Sequence, residues 1–170
     1  LGRESDAAEK LRRVVEIEPA NVHAHHMLGA LELRAARFDR AAIEFELVLK
    51  LEPERTLVRL DLADAQFRRG RTKDARETMR ALIAEGLPDA PDADERFAKR
   101  PEHERQRALR SWSAVLARAG ALLSALREWE AAAKIIPAFV KMHESEPDAW
   151  RALARARYES GDVEGGKEAS

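Results

Sequence analysis

Residues 2–20 and residues 36–54 carry the same order of side-chain sizes, thirty-four positions apart. Ala7, Leu11, Val14, Ile17 and Pro19 in the first stretch correspond to Ala41, Phe45, Val48, Leu51 and Pro53 in the second. Another thirty-four positions carry Ala41 to Ala75, Phe45 to Met79 and Val48 to Leu82. Leu28 and Gly29 map onto Leu62 and Ala63 in the same way, and Gly2 maps onto Gly70 after two periods. Small and large apolar residues keep their order throughout, which an alanine-rich chain rarely achieves by chance. A fixed period of this length restricts the chain to a stack of similar supersecondary units.

Within each unit the apolar spacing is helical. His25, Leu28 and Leu31 fall on one helix face, and Ala41, Phe45 and Val48 on another. The stretch "RAARFD" separates the two runs. Glu-Pro ends the second, because the residue before a proline is pushed out of helical geometry. Each unit therefore reads as two antiparallel helices joined by a tight turn. Gly29 and Ala41 allow close backbone approach, and Phe45 fills the space alongside. One such pair cannot bury its apolar faces alone, so neighbouring pairs must stack. The spacing predicts helices near residues 5–18, 22–35, 38–51, 56–69, 72–85, 102–126, 129–144 and 148–160.

Composition supports an all-α chain. Ala, Leu, Arg and Glu dominate, aromatics make up 5% of residues, and β-branched runs are missing. The 30 basic and 31 acidic residues are interleaved and leave a net charge of -1, which gives no reason to expect nucleic acid as a partner. The absence of cysteine excludes disulfides and cysteine-based zinc sites, and suits cytoplasm and periplasm alike. The most apolar stretch, residues 114–126, is interrupted by Arg118 and is too short to span a bilayer. The N-terminus lacks the layout of a signal peptide. A soluble chain without membrane insertion is expected.

Residues 22–55 resemble a tetratricopeptide repeat. The family pattern is Trp-x2-Leu-Gly-x2-Tyr, then Ala-x3-Phe, then Pro. This chain has His25-x2-Leu28-Gly29-x2-Glu32, then Ala41-x3-Phe45, then Pro53, with His25 and Glu32 departing from the aromatic places. Residues 56–87 repeat the pattern more loosely, and residues 1–21 match only its second half. The resemblance implies an all-α, right-handed α-solenoid of antiparallel helix pairs, serving as a protein–protein interaction scaffold.

Beyond Leu87 the register is lost. Residues 86–105 hold three prolines and many charges, and read as an inserted linker able to hold one short helix. A long helix then runs from about Glu102 to Leu126, with Gly120 at a close-approach place. Trp129 opens the next helix, Ala132-x3-Ile136 follows, and Pro137 is expected to kink or split it. Trp150-x2-Leu153-Ala154 begins a further unit that turns at Gly161. The expected organisation is repeats over 1–87, a linker over 88–105 and degenerate helix pairs over 106–170. Both ends fall inside a repeat, so the chain reads as a segment of a longer protein.

Catalytic signals are missing. The chain has no glycine-rich phosphate loop, no nucleophile elbow and no Glu-flanked histidine pair, so it is not expected to be an enzyme or to need a cofactor. The "HAHH" cluster places His23 and His26 three apart, a spacing that metal ligands sometimes use. It lacks a third ligand, and no metal site is expected. His25 is read instead as filling the aromatic packing place, and Trp112, Trp129 and Trp150 as core residues.

In a helix-pair solenoid the first helices line the concave face. The candidate binding positions are His26, Arg34, Leu57, Leu60, Asp64, Phe67 and Arg68 in the earlier units, and Arg151, Arg155 and Tyr158 in the last. Leu57, Leu60 and Phe67 are apolar positions left over once the packing face is assigned, which points to a binding surface. Arginine beside them can clamp carboxylates. The resemblance also implies what is absent. Relatives that grip chaperone tails use Lys and Asn where this chain has His26, Leu60 and Asp64, so that clamp is not expected. The expected function is a scaffold that holds a peptide or partner helix in its groove. The alternative is a targeting or assembly arm of a larger enzyme or a bacterial envelope secretion or biogenesis machine. Self-association through open repeat ends, led by the apolar stripe of Leu11, Val14, Val15 and Ile17, is a further expectation.

Overall fold

The computed structural model describes residues 2–87, 89–93 and 95–168, in two compact units, Leu1–Leu87 and Pro88–Ser170. Leu1 and Ser170, where the sequence reading places cut repeats, lie outside the described residues. The first unit contains α1 (Gly2–Ile17), α2 (Val22–Arg34), α3 (Phe38–Leu51), α4 (Thr56–Arg68) and α5 (Thr72–Glu85). The second contains α6 (Glu102–Ala125), α7 (Trp129–Met142), α8 (Pro147–Ser160) and α9 (Val163–Glu168). Each helix packs on its chain neighbour within its unit, and no strand occurs among the described residues.

The turns inside the helix pairs share one construction. Ala36, Gly70, Arg127 and Gly161 all have positive φ, at 57°, 87°, 59° and 94°. At each, the left-handed residue donates its N–H to a carbonyl three residues back, and the next residue donates to one five back, as in Arg37 to Glu32 and Asp162 to Arg157. This is the Schellman arrangement, which satisfies carbonyls that a helix end otherwise leaves open. The thirty-four-residue period thus reaches the backbone, from 36 to 70 and from 127 to 161.

The first unit is centred on Ala41, Phe45, Val48, Val58, Leu62 and Ala65, all buried. The close approach at Gly29 is real, since an added Cβ would lie 2.7 Å from Phe45 Cε1. In the second unit Gly120 plays the same part against Ile136, with the corresponding distance 3.1 Å. Ala41 and Ala75 are both sealed from solvent.

Three expectations need correction. The linker holds two 3-10 turns, Pro91–Ala93 and Phe97–Lys99, in place of one short helix. Phe97 anchors it by being buried. Pro137 does not split α7, which runs unbroken from Trp129 to Met142. Its ring removes one helix hydrogen bond, but Ile135, Ile136 and Val140 are buried on either side of it and hold the helix in place. Trp150 is exposed rather than core, with its indole N–H donating to the Glu144 carbonyl at 2.9 Å.

Candidate functional site

In the first unit, the side chains expected to line a groove are largely engaged within the unit itself. His26 is half-buried, with Nε2 3.1 Å from Asp61 Oδ2 and its ring edge-on to Phe45. Asp64 accepts from Arg68 at 2.7 Å, and Arg34 lies 3.3 Å from Glu4. Leu57 is exposed and Phe67 half-buried. Leu60 is not a groove residue. It is only 2% exposed, on a helix that also buries Val58, Leu62, Ala63, Ala65 and Gln66.

The three adjacent histidines diverge. His25 is buried in the aromatic place, its Nδ1 2.6 Å from Glu44 Oε2 and its Nε2 3.1 Å from the Pro19 carbonyl. His23 is exposed, and His26 turns to Asp61. Among the described residues no group of three or more His, Asp or Glu side chains is placed to hold a metal ion.

Glu32, in the other departed aromatic place, is buried and ionised. Burial by itself raises its carboxyl pKa, but hydrogen bonds from Arg37 and Arg12, with their charges, outweigh burial and hold it below the ordinary carboxylate range. Arg12 reaches it from α1 at 2.7 Å, and Arg37 from the α2–α3 turn. This carboxylate fastens α1 and the turn to α2.

The second unit presents an open cleft. Leu116, Gly120, Ile136 and Phe139 form its apolar wall and floor, Arg151 and Arg155 of α8 form its far side, and its volume is about 380 Å³. A second cleft of about 550 Å³ shares Ala117 and Phe139 and continues along α6 to Leu109 and Met142. Arg155 also stacks over Trp129 at 5.4 Å. Tyr158, expected beside these arginines, is exposed on α8 with its Cβ close to Gly166 of α9. The repeat register points to Arg151 and Arg155, but not to the floor. Phe139 and Ile136 sit on the second helix of a pair, and the opening exists because Ala117, Gly120 and Ala121 are small on the facing helix.

At the mouth of the second cleft, Ser113 Oγ meets His143 Nε2, and His143 Nδ1 lies 2.8 Å from Glu146 Oε1. The order hydroxyl, imidazole, carboxylate is that of a hydrolytic relay. Ser113, however, sits in the middle of α6, where the neighbouring backbone N–H groups are used in helix bonding and none is set up to receive an oxyanion. The string instead ties α6 to the α7–α8 turn, with Phe139 and His143 stacked at 4.4 Å.

Two tetratricopeptide-repeat models match the chain, one over residues 37–98 and the other over residues 118–166, together more than half of it. No curated protein matches. Among solved structures, a crystal structure of MamA superposes with a TM-score of 0.66 at 14% identity, over 99% of this chain and 85% of that one. A MamA fragment from Desulfovibrio magneticus RS-1 gives a TM-score of 0.64 at 16% identity, over 99% and 82%. The pilF protein of Pseudomonas aeruginosa gives 0.60 at 15% identity, over 99% and 66%. At these identities the likeness is one of fold.

Proposed function

The chain belongs to the tetratricopeptide-repeat family, and from that premise we propose that it is a protein-interaction scaffold whose second unit receives a segment of a partner protein. The observation that carries this reading is the cleft between α6 and α8, floored by Ile136 and Phe139. An apolar floor with charged groups on one rim is the usual make-up of a recognition site. Its chemistry is binding alone. The site serves equally in a free-standing adaptor or in an arm of a larger enzyme or envelope machine.

The test is to block the cleft. Ala121 is exposed on α6 and lines the opening, so Ala121→Trp fills the space without entering the core. Peptides selected from an array by the unaltered chain should lose binding to this variant, with helical circular dichroism unchanged. Undiminished binding would place the interaction elsewhere.

A further inference from the structure

The charged side chains lining the two joined clefts are all of one sign. Arg110, Arg151 and Arg155 stand on the rim, and none of the residues lining either cleft is acidic. In a chain of net charge -1 this is a local asymmetry. All three are exposed, and Arg151 is only loosely engaged at the surface. Arg151 meets Asp148, whose side chain is 91% exposed. An exposed pair of this kind is weak and is readily exchanged for a carboxylate brought by a ligand. From Gln106 to Ser124 the trough follows α6 for about 27 Å, at about 1.5 Å per residue. That length suits a helix of about five turns, or an extended segment of about eight residues.

Resting on the reading of this trough as a docking site, we propose that its occupant is an acidic amphipathic segment of another protein. Bulky apolar side chains enter at the Leu109–Met142 end and at the Gly120–Ile136 end, and flanking carboxylates meet Arg110, Arg151 and Arg155. Charge complementarity of this kind sets partner choice and association rate more than it sets total affinity. A basic segment with the same apolar spacing brings like charges together and is rejected.

The probes are three labelled helix-forming peptides of about 18 residues. One has leucines on one face and glutamates flanking them. The second has lysines for the glutamates, and the third has serines for the leucines. Each is titrated against the full chain by fluorescence anisotropy. The glutamate peptide should bind at least about tenfold more tightly than the lysine peptide. That gap should narrow between about 50 and about 300 mM salt, as screening grows. The combined variant Arg110→Glu, Arg151→Glu, Arg155→Glu, altered only at exposed positions, should reverse the preference.

Equal binding of both leucine peptides, lost in Ala121→Trp, leaves the docking site standing and overturns the acidic partner. Failure of every peptide to bind overturns both readings. Binding of the serine peptide as tightly as the first also overturns the proposal, since charge alone then suffices. A concentration-dependent dimer in sedimentation that Arg151→Glu abolishes names a second copy as the occupant, and overturns it as well. Ile17, exposed between Glu16 and Glu18, is the segment such a copy would offer.

Discussion

In the first unit the charges of the groove helices are paired within the unit, whereas in the second, arginines stand along the edge of an apolar trough. In residues 22–68 each departure from the family's aromatic places is matched by a polar partner: His25 by Glu44, and Glu32 by Arg12 and Arg37. The first-helix carboxylates are likewise taken up, Asp61 by His26 and Asp64 by Arg68. In the second unit the first helices leave an apolar trough with arginines along its edge. The same repeat plan therefore supports two uses. A face whose polar groups are paired internally holds the stack together, while a face with unequal charge and a gap in its packing is available to a partner.

The sharpest way to test that contrast is at the equivalent glycines. Gly29→Ala drives a methyl against the Phe45 ring, which is wholly buried and has no room to retreat. Overpacking of about 2–3 kcal/mol, less about 1 kcal/mol gained in helix propensity, leaves an expected net loss of about 1–2 kcal/mol. Gly120→Ala meets only an Ile136 methylene at 3.1 Å, beside an open cleft into which that side chain can shift. The gain of about 1 kcal/mol in helix propensity then offsets most of the crowding, and the variant should be close to neutral. Equal losses in chemical denaturation would mean that the second unit is packed as tightly as the first, and would remove the physical basis of the cleft.

Why the glycines are easy to find in the sequence and the cleft is not follows from what a period encodes. Thirty-four-residue spacing fixes which residues face the neighbouring helix, so α3 is predicted at 38–51 and observed at Phe38–Leu51, and α5 at 72–85 is likewise met. It does not say how much of a helix is covered, which is why Leu60 reads as a groove residue and proves to be buried. Nor does it register a void. The trough depends on Ala117, Gly120 and Ala121 of α6 facing Phe139 of α7, and a period that orders packing residues does not report a gap between them. Trp150 misleads for a related reason: the pattern supplies the aromatic place, but its indole turns outward to the Glu144 carbonyl. The left-handed turns at Ala36 and Arg127 escape notice because neither residue is glycine.

An effect of similar size is expected at Glu32, where the first unit's internal pairing is most buried. Glu32→Gln keeps the shape but removes the charge that Arg12 and Arg37 bind, and should cost about 1–2 kcal/mol near neutral pH. Both arginines are partly exposed, so water compensates them and the loss stops short of that for a fully buried broken pair. The sign of the pH dependence follows from the lowered carboxyl. Its contribution is fully present above the ordinary glutamate value of about 4.3, and is lost as pH falls from there through the folded value. The unaltered chain and the Gln variant should therefore differ in denaturation midpoint at neutral pH and converge as pH falls below the ordinary glutamate range. A gap that persists at low pH would mean that the side chain's shape, rather than its charge, holds α1.

The smallest effect is a gain, and it asks whether the two units share one turn. Ala36 and Arg127 occupy the left-handed position that Gly70 and Gly161 occupy one period later. A residue with a Cβ is disfavoured there by about 1–2 kcal/mol. Glycine avoids that cost but gives up about 0.5–1 kcal/mol through the extra freedom of the unfolded chain. The difference leaves a stabilisation of roughly 0.5–1 kcal/mol for Ala36→Gly, and a similar one for Arg127→Gly. Both side chains are exposed, so little packing is removed to confuse the result. Gly70→Ala and Gly161→Ala should move stability the other way by a comparable amount, because an added Cβ meets no atom within 4 Å at either site and only the backbone conformation resists it. Denaturant midpoints for the four variants, with unchanged slope, measure this directly. If Ala36→Gly stabilises while Arg127→Gly destabilises, then the α6–α7 turn is held by the Arg127 side chain and not by the shared Schellman geometry. The equivalence of the two units would then end at their backbones.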